Sequence, residues 1–181
     1  MNMVAFTNQD TTRERAGLVR RATLFVVIFA LLQISWQQLQ GSSLERLVID
    51  EGTVRPAVAL VNFLTPSVEA RAVGATMRAV GGGLNILNGC EGVEALFLLV
   101  AALAAASLPW SRTLSGIAVG TLVVFVVNQA RILALFYAYR GDRSLFDTLH
   151  GIVTPVAVIL CVLGFFYGWM YAAAPRKASA T

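Results

Sequence analysis

The sequence predicts an all-α fold, a polytopic bundle of transmembrane helices with about four spans and one further interfacial or re-entrant helix. Three observations predict it. Hydrophobic residues make up 57% of the 181-residue chain, above the roughly 45–50% apolar content of soluble domains. Charged residues make up 13%, about half the usual ~25% and too few to cover the surface of a soluble enzyme. Third, four apolar stretches reach or approach the ~20 residues with which a helix crosses the hydrocarbon core, where backbone polar groups must be satisfied internally. The length fits one domain, 1–181.

Residues 1–21 form a polar, basic tail, and the first span covers 22–40, beginning ATLFVVIFALLQISW. Arg20-Arg21 ahead of an apolar run suggests a signal peptide. The run exceeds the usual ~7–15 residues, however, and ends in SWQQLQGSS rather than a small-residue cleavage site. A retained anchor is expected. Gln33, Gln37 and Gln40 fall near one helical face, marking either a polar helix end or a face turned into the bundle. Residues 41–89 form an outer segment with several charges and an apolar piece, Val54 to Leu64, too short to cross and expected to lie at the interface or re-enter. Gly81-Gly82-Gly83 is expected to be a flexible connector. The second span covers 90–108 and closes at Pro109-Trp110. The third covers 114–137. Ser144-Leu-Phe-Asp147 has the form of a capping box and opens the fourth, 145–171, before a tail over 172–181.

Fourteen Lys+Arg against ten Asp+Glu give a net charge of +4. In so apolar a chain this excess serves membrane topology, and no nucleic-acid partner is expected. With the N-terminus inside, the inner segments hold Arg13, Arg15, Arg20, Arg21, Arg112, Arg176 and Lys177. The outer segments hold nearly as many basic residues over almost twice the length. Basic density therefore favours an N-in, C-in arrangement.

One His and two Cys leave no multi-His metal centre, CxxC pair or disulfide framework, so neither metal nor cofactor is expected. The topology carries three reactive residues to one side. Cys90 opens the second span within Asn88-Gly-Cys-Glu-Gly-Val-Glu94, and helix N-termini favour the nucleophilic thiolate; the bland alternative is an inert, packed thiol. Arg131 lies in the third span, ~9 Å below its outer end at 1.5 Å per residue. An intramembrane Arg costs ~2.5–3.5 kcal/mol at a helix centre and usually faces a bundle or wet cavity. Asn128, three residues earlier on the same face, suits it to hold an acceptor such as a carbonyl oxygen. Otherwise Arg131 snorkels outward or pairs with Glu91 or Glu94. His150 starts the fourth span, and Asp147 either orients its imidazole or caps the helix. Cys161 sits ~16 Å deeper and reads as packing. A thiol with an imidazole supplies an activated nucleophile and a proton carrier, and a guanidinium can stabilise an oxyanion. Together they match acyl transfer through a thioester. Two rival classes are a thiol oxidoreductase, which lacks a nearby resolving cysteine, and a transporter or assembly subunit using Arg131 to bind an anion.

Asn-Gly-Cys90-Glu-Gly opening one span, Asn128-Gln-Ala-Arg131 late in the next and Asp147-Thr-Leu-His150-Gly opening the last resemble the exosortase/archaeosortase family of membrane cysteine transpeptidases. The short length and the Asn-Gly-Cys-Glu-Gly form look most like the exosortase H subtype. The resemblance implies Cys90 as nucleophile, with Arg131 and His150 as its partners. It also implies a place in the inner membrane of a Gram-negative envelope, with the site facing the periplasm. Implied substrates are secreted proteins ending in a motif similar to Ile-Pro-Thr-Leu, a transmembrane helix and a basic tail. An acceptor amine or lipid would take up the acyl group. Many family members have about eight spans, so the short chain departs from the pattern at the substrate-docking surface.

Overall fold

A computed structural model describes residues 3–86 and 89–173. Asn88 and the basic residues Arg176 and Lys177, which entered the sequence reading, lie outside the described residues. Helix α1 covers Met3–Gln38, α2 Ser43–Arg46 and α3 Arg55–Leu64. Then come strands β1 Arg71–Val73, β2 Thr76–Arg78 and β3 Leu84–Asn85. Helices α4 Val93–Ala105, α5 Trp110–Gly141, α6 Arg143–Thr148 and α7 Thr154–Ala173 complete the chain. Three stretches are long and apolar enough to cross a membrane: Arg13–Gln38, Trp110–Gly141 and Arg143–Ala173. The chain is an all-α polytopic helical membrane protein.

Helix α4 has thirteen residues, ~20 Å at 1.5 Å per residue, shorter than a bilayer core. Its contacts show how it fits the bundle. Gly92 lies against Asn128 at one end of α4, and Leu99 lies against Gly120 farther along. A short helix with a turn at each end therefore runs beside much of α5. Gly116 and Gly120, four residues apart on α5, carry the closest packing. A Cβ on Gly116 would meet the Trp169 indole at 2.6 Å, and one on Gly120 would strike Leu99 and Phe165. Small residues let helices approach in this way where lipid supplies no hydrophobic drive between them. Leu99, Leu103, Val124, Val158 and Val162 fill the core between α4, α5 and α7. Trp36 of α1 meets Phe97 edge-on at 6.4 Å. Gln33 is half-buried, whereas Gln37 and Gln40 are exposed.

The outer segment holds a second core. Val54, Ala57 and Val61 pack with Ile132, Leu135 and Phe136 near the C-terminal end of α5. The hydroxyls of Thr65 and Tyr137 bond at 2.8 Å, fixing the end of α3 to α5. The apolar piece Val54–Leu64 is thus docked on α5. The antiparallel sheet β1-β2-β3 was not expected from the sequence, because its strands of two or three residues are too short to show alternation. It is pinned by Asn62, whose Nδ2 donates to Ala70 O at 2.9 Å and whose Oδ1 accepts from Ala70 N–H at 2.8 Å.

Two local expectations need correction. Gly81-Gly82-Gly83 is a packed turn rather than a loose connector. Gly81 and Gly82 have φ of 85° and 131°, values that L side chains disfavour, and a Cβ on Gly83 would collide with the Met77 carbonyl. Arg140 Nη1 donates to Val80 O and holds this turn to α5. At the start of α6 the cap is Asp142, not Ser144. Asp142 Oδ1 accepts from the N–H of Ser144 at 2.8 Å and of Leu145 at 3.3 Å. The helix begins two residues earlier than the capping-box spacing implied, so Asp147 lies further inside it.

Between α6 and α7 the chain makes one wide π turn, Leu149–Val153. Pro155 has no N–H to offer the Gly151 carbonyl, and its ring crowds that carbonyl; widening the turn accommodates both. Thr154 Oγ1 donates to Leu149 O at 2.9 Å, the carbonyl that also accepts the Thr154 backbone N–H across the wide turn. Turns of this kind re-aim side chains within a helix, and this one carries His150.

Candidate active site

Cys90 lies in the turn ahead of α4, not in its first turn. Gly92 caps the helix with φ of 81°, and an added Cβ there would meet Asn128 Cγ at 2.8 Å. The turn therefore needs glycine for both its conformation and its closeness to α5. Asn128, 2% exposed, donates from Nδ2 to the Cys90 carbonyl at 3.1 Å. This bond holds the Cys90 backbone, a role that the spacing of Asn128 from Arg131 had not suggested, while Asn128 Oδ1 has no partner.

Arg131 reaches three partners. Nη1 donates to Gly89 O at 3.1 Å, Nε to Thr154 Oγ1 at 3.1 Å, and Nη2 points to Cys90 Sγ at 3.8 Å. Among the described residues the only ion pair is Arg55–Glu51 at 2.8 Å. The pairing of Arg131 with Glu91 or Glu94, one of the alternatives read from the sequence, is absent among them. Glu94 is exposed at the start of α4. Glu91 is buried at 7% exposure, and its Oε2 has no partner.

His150 completes the group. Its Nδ1 stands 3.9 Å from Cys90 Sγ, a long but usable approach to sulfur. The Phe146 ring stacks on the imidazole at 5.4 Å with 5° between planes, and Phe146 meets Tyr139 edge-on at 5.3 Å. The ring is thus oriented by an aromatic stack. Among the described residues Asp147 makes no hydrogen bond to His150, and Asp142 does the capping; neither role considered for Asp147 is realised. Thr154 and Phe146 went unnoticed in the sequence, although Thr154 lies four residues after His150 and Phe146 four before it, at helical spacing. Cys161 is exposed on α7, away from the group.

Burial raises the Cys90 thiol above its ordinary pKa; the Arg131 charge pulls it down and the Glu91 carboxylate pushes it up, with a net rise. This corrects the expectation of a helix terminus stabilising the thiolate. Cys90 lies outside the first turn of α4, and desolvation penalises the charged form. The group is a half-buried cysteine beside an imidazole and a guanidinium.

Fold and site together define a helical membrane protein with a thiol, an imidazole and a guanidinium gathered at one end of the bundle. The transmembrane exosortase family matches the chain over residues 13–167, which takes in Cys90, Arg131 and His150. The chain belongs to that family. No curated protein and no solved structure matches it.

Proposed function

We propose that the chain is a membrane-embedded cysteine transpeptidase that cuts the C-terminal sorting signal of secreted proteins. The observation that carries this reading is the convergence on Cys90 Sγ of His150 Nδ1 at 3.9 Å and Arg131 Nη2 at 3.8 Å. The imidazole's task is to take the thiol proton as sulfur attacks. The Sγ–C bond forms at the scissile carbonyl, and the oxyanion develops beside the Arg131 guanidinium, held in advance by Gly89 O and Thr154. Collapse breaks the C–N bond, and His150 returns its proton to the departing amine. A thioester remains on Cys90. An acceptor amine then attacks it, forming the new C–N bond and releasing the sulfur, which recovers a proton through His150.

The substrate class follows from family membership and fits the geometry. A protein anchored by its own helix presents the bond at the end of that helix at the level where Cys90 lies. The reading places an Ile-Pro-Thr-Leu-like motif before the helix and a basic tail after it, as for the H subtype. The enzyme sits in the bacterial inner membrane, N-in and C-in, with Cys90 toward the periplasm. An anion-binding transporter is less well supported, because Nη1 and Nε of Arg131 are already engaged within the protein.

Cys90→Ala should abolish processing of a test protein ending in such a signal, as judged by loss of the size shift on a gel at equal enzyme level. Cys161→Ala should process it at close to the wild-type rate. Processing that survives Cys90→Ala but fails in Cys161→Ala would overturn the assignment.

A further inference from the structure

The sheet that the sequence concealed leaves an open edge beside the site. In the order β1-β2-β3, β3 is an edge strand. Leu84 pairs with Met77, and Ile86 N–H donates to Ala75 O at 2.8 Å. Alternation in an antiparallel ladder therefore turns the N–H and C=O of Asn85, an exposed residue, away from β2 and toward the free edge. Next to that edge is a cavity of about 190 Å³, walled by Leu84, Ile86, Ile132, Leu135 and Phe146 and lined also by Cys90 and His150. Among the described residues, apart from the imidazole and the thiol, only Asn85 brings polar side-chain atoms to it, and no Asp, Glu, Lys or Arg lines it.

We propose that the residues on the amino side of the scissile bond bind as an added strand on β3, hydrogen-bonded to the Asn85 backbone, with one aliphatic side chain in this cavity. The proposal rests on the reading of Cys90 as nucleophile. Strand addition supplies affinity through main-chain bonds and specificity through pockets for alternate side chains. A charged side chain here would lose its hydration without a counter-charge.

The direction of the chain follows from a second groove, between α4 and α7. It is lined by Ala95, Leu98, Val158 and Ile159, with Glu94 and Arg131 as its charged residues, and it lies beside α7, in a helical stretch long and apolar enough to cross a membrane. The anchored helix on the carboxyl side of the bond lies along that groove. The extended residues on the amino side are left to the sheet edge.

The test uses the full chain with Cys161→Ala, in liposomes, and a series of tripeptidyl chloromethyl ketones. The series differs only in the residue bearing the ketone: Gly, Val, Leu, Phe or Asp. Cys90 Sγ displaces chloride as the S–C bond forms, and the mass of the protein reports the rate. Leu and Val should label roughly tenfold or more faster than Gly and Asp, since fitted methylenes discriminate on that scale. N-methylation of the amide that meets Asn85 should slow labelling, and N-methylation of its neighbour should not. Leu135→Ala should shift the optimum toward Phe; should that variant fail to fold, the unaltered cavity and the peptide series decide alone. Equal rates across Gly, Leu and Asp overturn the pocket, as does no labelling by any peptide where iodoacetamide still labels Cys90. An even response to N-methylation overturns the strand. Selective labelling by an enzyme that never processes a sorting signal overturns the proposed function and leaves the pocket standing. Cys90-dependent processing with unselective labelling does the reverse.

Discussion

At Cys90 two neighbouring charges act in opposite directions on one thiol. Arg131 lowers its pKa and Glu91 raises it, on top of the larger upward push of burial. Removing the carboxylate removes an upward push, so Glu91→Gln lowers the thiol pKa and leaves more thiolate at a given pH. The pH profile of iodoacetamide alkylation, measured with Cys161→Ala as background, should therefore move to lower pH. An unmoved or raised midpoint contradicts this electrostatic account. Arg131 invites a second test. Its planar fork holds Gly89 O and Thr154 Oγ1 while aiming a third nitrogen at sulfur. Lysine keeps the charge but is a compact, strongly hydrated point donor and cannot make that fork. Losing a pre-placed oxyanion donor typically costs ~10²–10³ in rate. Arg131→Lys should lose activity on that scale in a processing assay at equal enzyme level; processing near the wild-type rate would show that the charge serves only the fold.

The short elements carry the precision of the site, and they are what the sequence concealed. Long apolar runs are legible because each must span the bilayer, so α1, α5 and α7 emerge from composition alone. Cys90, Arg131 and His150 were legible as well, since each is a costly or reactive residue near the end of an apolar run. The sheet was not, because two- and three-residue strands held by Asn62 and a glycine turn carry no periodic signal. Nor was the role of Asn128. Its spacing from Arg131 is visible in sequence, but its bond to the Cys90 carbonyl depends on a contact across thirty-eight residues. The start of α6 shows how two residues of register matter. Ser144-x-x-Asp147 has a capping form, yet Asp142 has two backbone N–H groups within reach and takes the cap. Asp142→Ala should accordingly cost about 1 kcal/mol of stability, read as a lowered thermal midpoint in detergent micelles. Ser144→Ala should change it little. The opposite ranking would restore the capping box.

On the scale of the whole molecule, two cores meet at the site. The α4–α5–α7 core is built on Gly116 and Gly120 and fixes the helices. The outer core of α3 and the sheet closes on the other end of α5. Cys90, on the turn between the sheet and α4, belongs to the junction, with Arg131 reaching it from α5 and His150 from the π turn before α7. Membership of the transmembrane exosortase family and this junction support the same chemistry, an acyl group held on Cys90 between cutting and transfer. The most direct measurement is to mix the full-length enzyme with a sorting-signal protein, quench in acid within the first turnover and map the adduct by mass spectrometry. The account predicts the amino-side fragment of the substrate joined to the Cys90 peptide as a thioester, released by hydroxylamine and absent from Cys90→Ala. Substrate cut at the wild-type rate by Cys90→Ala, or an adduct on any other residue, would contradict it.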